Sequence, residues 1–364
     1  MPVIQEIRNE ILPEIIALPT APLYEDLIVG YVKTMAGKLG LPVTEDSYGN
    51  LIVEYRQAKD VPAIGLVAHM DHPAFEIESV KDKQTTMAFR GGAACPAKKD
   101  RLLFYQNAKA DPIPITVEDV VYSDGKPTHL LVEGIKLPTP KGFAVYDIVP
   151  FRQDGSKLIG RALDDLAGCA ALIALLELLT QKRPDAHVYA IFTRAEEIGF
   201  IGACGLAMSN VLPNNMPMIS LEASKMLPGA EQGHGVVVRL GDKKSLFHAR
   251  ITNFLMEVAQ EAVTESPGFC FQKQLLDGGT CEASLFNAFG YQASGLAVPL
   301  GCYHNNGSDG KVAAEHIHWQ DWLNMVVLIW HAATKSQRLE QQETSNRSYF
   351  LTRFEKYQQR ILQL

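Results

Sequence analysis

Ile64-Gly65-Leu66-Val67-Ala68-His69-Met70-Asp71 is an apolar run that stops on a histidine and a carboxylate two positions apart. Such a run reads as a strand, and on an extended strand end His69 and Asp71 can face the same side. The pattern recurs along the chain. Val188–Thr193 is followed by Arg194-Ala195-Glu196-Glu197-Ile198-Gly199. Ile219-Ser220-Leu221 runs into Glu222, and Ala297-Val298-Pro299-Leu300 is followed by Gly301-Cys302-Tyr303-His304. Gly160-Arg161-Ala162-Leu163-Asp164-Asp165-Leu166-Ala167-Gly168 opens an apolar segment that reads as a buried helix over 164–180. Further strands are expected at Asn50–Tyr55 and from Pro217. Further helices are expected at Ile4–Leu18, Leu23–Leu39, Ser245–Val263 and Trp319–Ala333, from their apolar spacing. Alternation of this kind predicts an α/β fold, a sheet covered by helices.

Residues 75–157 break the alternation. They are rich in Gly, Pro and Lys, with short β-type runs at Thr116–Tyr122 and His129–Val132 and no long helix. Bracketed by α/β segments, they are expected to form a small inserted β-domain. The polar stretch Lys335–Arg347 reads as a loop or a helix surface.

A chain of 364 residues suggests about two domains, and 47% hydrophobic with 21% charged residues is the balance of a globular protein. A net charge of -7 with no basic stripe argues against nucleic acid. The longest apolar stretch, Ala170–Leu179, is interrupted by Glu177 and is too short for a bilayer, and no signal peptide is evident at the N-terminus. Six cysteines without a CxxC pair suit reduced thiols in a cytoplasm.

Each chemical motif taken singly has a bland explanation. His69 and His304 could be satisfied structural histidines, the Asp164–Asp165 pair could cap a helix, and Glu196–Glu197 could be a solvated turn. Together they place imidazoles and carboxylates at the carboxyl ends of strands, where open α/β sheets carry their sites. Nitrogen and oxygen donors without cysteine suit a catalytic pair of divalent ions better than a structural zinc. Of the two adjacent glutamates, one could bind metal and the other act as general base. One of the two adjacent aspartates could bridge the ions. His72, His129, His187, His248, His316, His318 and His331 have no matching context. Gly-flanked His234 could line a pocket, and the turn Asp277-Gly278-Gly279-Thr280 could shape the site wall.

The ordered set Ala68-His69-Met70-Asp71, Ala162–Gly168, Ala195–Ala203, Ser220–Ser224 and Cys302–Asn305 resembles the co-catalytic zinc exopeptidases. It is most similar to the glutamyl and deblocking aminopeptidases, the family of the tetrahedral aminopeptidases, over roughly residues 5–335. The resemblance implies a doubly wound mixed α/β catalytic domain, 1–74 with 158–364, and an inserted β-barrel at 75–157 serving oligomerisation or substrate access. It implies that His69 and Glu222 complete one metal shell and Glu197 and His304 the other, with Asp164 rather than Asp165 between them. Asp71 would orient His69, and Glu196 would be the general base. The chain departs from the family at Leu166, where arginine is usual, and at Cys281, Glu222 and His72-Pro73.

The expected activity is that of a cytoplasmic, homo-oligomeric metallo-aminopeptidase acting on peptides. It would use two divalent ions, zinc foremost and cobalt or manganese otherwise, and would bind neither nucleic acid nor membrane. A deacylase or carboxypeptidase-type amidohydrolase on the same fold is the alternative, and a non-catalytic scaffold a more distant one.

Overall fold

The computed structural model describes residues 7, 10–58, 60–81, 84–107, 109–133, 141–340 and 342–362. The chain begins with α1 (Ile11–Ile16) and α2 (Asp26–Leu39), then β1 (Val43–Glu45), β2 (Leu51–Arg56) and β3 (Ile64–His69). It continues through β4 (Ala74–Lys81), β5 (Gln84–Arg90), β6 (Arg101–Tyr105), β7 (Ile113–Ser123), β8 (Lys126–Glu133) and β9 (Phe143–Tyr146). Next come β10 (Phe151–Asp154), β11 (Lys157–Gly160), α3 (Leu163–Lys182), β12 (His187–Thr193), α4 (Ile201–Met208) and β13 (Pro217–Lys225). The last part holds β14 (Val236–Asp242), α5 (Ala249–Glu265), β15 (Phe271–Leu276), α6 (Glu282–Ala288), β16 (Gln292–Leu300), β17 (Glu315–His318), α7 (Trp319–Thr334) and α8 (Gln342–Leu362).

Eight strands form one mixed sheet in the order β1-β2-β12-β3-β13-β16-β14-β15. The four central strands β12, β3, β13 and β16 are mutually parallel. Both faces are buried, so these strands read as continuous apolar runs. On β3, Ile64, Leu66 and Ala68 join the larger core while Val67 joins the smaller one on the other face. On β12, Val188, Ala190 and Phe192 alternate with Ile191 in the same way, as a period of two requires.

The larger core holds α3, buried on nearly every face because it lies between the sheet and outer helices. The amphipathic α5 instead buries one stripe, Ile251, Phe254, Leu255, Val258 and Ala262.

Strands β4 to β9 close a barrel in the order β4-β5-β8-β7-β6-β9 around its own core, with Phe75, Phe104 and Leu130 at its centre. Of the stretch 75–157 read as an insert, strands up to Tyr146 belong to this barrel. β10 and β11 instead form a separate antiparallel sheet with β17. The first helix is shorter than expected, and residues 4–6, 8 and 9 of it lie outside the described residues. The C-terminal stretch forms α8. The strands β14 and β15 and the short helices α4 and α6 had no clear signal in the sequence, because each is brief and closely bounded by Gly and turn residues.

All six cysteines are free thiols. Among the described residues no helix is long and apolar enough to cross a membrane.

Candidate active site

Four parallel neighbouring strands deliver the candidate residues to one edge of the sheet. His69 ends β3, and Thr193, which ends β12, pairs with it in register. Glu196 and Glu197 follow three and four residues after that strand end. Ser220 pairs with Val67, so Glu222 two residues on lies level with His69. His304 sits in a 3-10 turn, Tyr303–Asn305, beyond β16.

Asp164 stands between the imidazoles. Its Oδ1 is 3.5 Å from His69 Nε2 and its Oδ2 is 3.5 Å from His304 Nε2. Glu197 Oε1 is 3.2 Å from His304 Nε2. Ligand-type atoms of His69, Asp164 and Glu222 lie within 4.8 Å of one another, as do those of Asp164, Glu197 and His304. His69, Glu196 and Glu197 form a third such group.

Asp165 takes the capping role. Its Oδ1 accepts the Gly168 N–H at 3.2 Å at the start of α3, and the peptide between Asp164 and Asp165 is cis. A Cβ at Gly168 would fall 2.4 Å from the Asp165 carboxylate, which explains a glycine there.

The turn after β12 is clamped from three sides. Asp71 accepts the N–H groups of Glu196 at 2.9 Å and Glu197 at 3.0 Å. Glu25 accepts the Ala195 N–H and pairs with Arg194, and Asn50 accepts the Arg194 N–H. His69 Nδ1 lies nearer the Asp71 carbonyl, at 3.2 Å, than its carboxylate, at 3.6 Å. The Asp71 side chain therefore orders the glutamate turn as well as facing His69.

Several partners carried no local signal. Glu315 accepts the N–H groups of Leu163, Asp164 and His304. His72 ties the Asp164 carbonyl to Asn305. Left-handed backbone at Ala195, Phe200, Cys302, His304 and Asn305 clusters around the same site, a pattern common where geometry serves function.

Burial and the other carboxylates drive the site's electrostatics. Burial pushes the Glu196 and Asp165 carboxyls well above the usual range. It lifts Glu222 to about 8 and Glu282 to about 7. Burial also opposes the charge on His304, but Glu197 and Asp164 outweigh it and raise the ring to about 11. Asp164 is held low by His304 and His69 despite its burial. Asp164 Oδ1 and Glu197 Oε1 are buried and make no hydrogen bond among the described residues. Buried carboxylates crowded together without enough cations are costly. The donor set of two imidazoles and several carboxylates therefore fits divalent metal ions.

These residues line a cavity of about 310 Å³, walled also by Phe200, Leu227, Arg239, Leu276 and Tyr303. Gly278, Gly279 and Thr280 form part of the wall, whereas exposed His234 does not line it.

The profile of the M42 glutamyl aminopeptidases matches residues 139–321. A glutamyl aminopeptidase of Lactococcus lactis subsp. cremoris is 23% identical over 292 residues, 71% of this chain and 78% of that protein. A protein of Acetivibrio thermocellus is 25% identical over 158 residues, 42% of this chain and 46% of its own length. The Pyrococcus horikoshii TET1 peptidase, described as assembling into a tetrahedron or a large octahedral shell, superposes with a TM-score of 0.74 at 22% identity, covering 89% of this chain and 98% of that one.

Proposed function

The chain belongs to the M42 glutamyl aminopeptidase family, and from that premise we propose that it is a metal-dependent aminopeptidase working in the cavity at the ends of β3, β12, β13 and β16. The observation that carries this reading is Asp164, whose two oxygens face two separate imidazoles. His69 and Glu222 would hold one divalent ion, Glu197 and His304 a second, and Asp164 would be shared. Zinc suits this donor set best, with cobalt or manganese as substitutes. When bound, such ions polarise the scissile carbonyl and acidify the attacking water.

The protein's own groups do the rest. A Glu196 carboxylate oxygen accepts a proton from the attacking water as its oxygen bonds to the carbonyl carbon. Glu196 then returns that proton to the leaving nitrogen as the C–N bond breaks. Asp71 fixes the backbone under Glu196 and Glu197, so the base stays aimed while the proton moves. Partly buried Tyr303, its ring stacked on His304, keeps its hydroxyl proton and presents a neutral donor to the cavity.

The protein fits a homo-oligomer, with the β4–β9 barrel as the assembly or access module. Light scattering on a sizing column checks this, and a monomer at working concentration would refute it.

For the chemistry, purified protein loaded with zinc or cobalt should cleave aminoacyl chromogenic amides and spare those with an acylated amino group. The reverse preference would mark a deacylase. Glu196→Gln should keep its metal and lose about 2.7–4 kcal/mol of transition-state stabilisation. Undiminished turnover in that variant rules out the assigned base.

A further inference from the structure

We infer that Glu315 is a positioning residue that holds Asp164 and His304 at the separation one divalent ion needs, an inference that rests on reading Asp164, Glu197 and His304 as donors to that ion. Glu315 is fully buried at the start of β17. One carboxylate oxygen accepts the N–H groups of Leu163 at 2.8 Å and Asp164 at 3.1 Å, and the other accepts the His304 N–H at 2.9 Å. A single side chain thus joins two loops more than 130 positions apart in sequence, each carrying a donor.

The backbone repeats the connection. Glu315 pairs with Gly160 at the end of β11, just before Asp164. Its neighbour His316 bridges to Gly301, just before His304. A second tie runs alongside: the His72 ring spans the Asp164 carbonyl and the Asn305 side chain, and Asn305 donates to the Arg161 carbonyl at 2.9 Å. Among the described residues no hydrogen bond joins His69 or Glu222 to Glu315. Their spacing comes from the β3–β13 ladder, which Glu315 does not touch.

This asymmetry makes the role specific. In Glu315→Gln the volume is kept, but the amide has one accepting oxygen and one donating nitrogen. Whichever way it turns, a donor faces either the Leu163 and Asp164 N–H groups or that of His304. One loop is released, and the two donors lose their fixed spacing. Partners that orient ligands in this way are worth about 10–100-fold in metal affinity.

The test is a cobalt(II) titration of the full-length metal-free protein followed by visible absorption, with the melting temperature of the metal-free protein measured beside it. Wild type should take up two ions. Glu315→Gln should bind the ion held by Glu197 and His304 about 10–100-fold more weakly and the other ion, which shares only Asp164 with it, by a clearly smaller factor, and the absorption bands of the first ion should change. Asn305→Ala, which cuts the parallel tie, should weaken the same ion and keeps the test informative if Glu315→Gln does not fold. Two unchanged affinities in the variants overturn the inference. So does an equal fall of both together with the melting temperature, the mark of general destabilisation. Wild type binding no cobalt would instead overturn the reading of the donors themselves.

Discussion

Burial lifts the Glu222 carboxyl to about 8, and the carboxylates of Glu197 and Asp164 carry the His304 ring to about 11 against its own burial. Both groups therefore hold protons at pH 7 in the metal-free protein, Glu222 below about 8 and His304 below about 11. A metal ion needs their lone pairs, so loading must expel protons and affinity must rise with pH through this range. Calorimetric cobalt titrations in buffers of different ionisation heat should show net proton release at pH 7, and net uptake would contradict it. At the same scale, Glu25 is buried and holds both Arg194 and the Ala195 N–H. Glu25→Ala should cost about 1–3 kcal/mol, read as a shift in urea midpoint, with a loss of activity because the Glu196–Glu197 turn is freed. The donor types were legible in the sequence because His, Asp and Glu after apolar strands are conspicuous. The separation of Asp164 from Asp165 was not, since neighbouring aspartates differ only in where the chain turns: one caps α3 and the other faces the imidazoles.

The elements that matter most are strand ends and the helices that follow them. α4 begins right under the glutamate turn, and the Gly202 N–H donates to the Arg194 carbonyl. A Cβ at Gly202 would fall 2.3 Å from Asn50 Oδ1 and 2.4 Å from the Arg194 carbonyl, and the backbone there cannot yield cheaply. Gly202→Ala should therefore destabilise by about 1–3 kcal/mol through overpacking and depress turnover as the turn shifts, both measurable by thermal melts and steady-state kinetics. Unchanged values in both would show that α4 can slide away. The buried helix α3 and the strand β3 were legible because an unbroken run of apolar residues is a local property of a few consecutive positions. The short β17 and its Glu315 were not, because a four-residue strand eleven positions past His304 has no period of its own and acquires meaning only by pairing with β11.

At the scale of the molecule, the barrel closes over the sheet edge. Gly91 and Gly92, just past β5, lie against the donors: a Cβ at Gly91 would meet the Glu197 Cβ at 3.1 Å, and one at Gly92 would meet His304 Nδ1 at 2.7 Å. The Ala94 N–H donates to the His304 carbonyl, and the Tyr146 hydroxyl braces the Ala94 carbonyl from inside the barrel. The barrel thus serves as one wall of the site. Gly92→Ala should displace His304 and lower kcat/KM by as much as about 100-fold with little change in melting temperature. Wild-type kinetics in that variant would mean the imidazole can move without consequence.

The sequence by itself determined which residue types stand at strand ends and which segments are buried, and so the α/β class, the interrupting β-domain and the metal-type chemistry. Only the tertiary structure decided the neighbour order β12-β3-β13-β16, the choice of aspartate facing both histidines, and the Glu315 and barrel contacts that support them. The physical reason is range. Hydrophobic periodicity is written within a few residues, but the distance between atoms of residues 69, 164 and 304 depends on how crossovers order the strands, and no local stretch encodes that order.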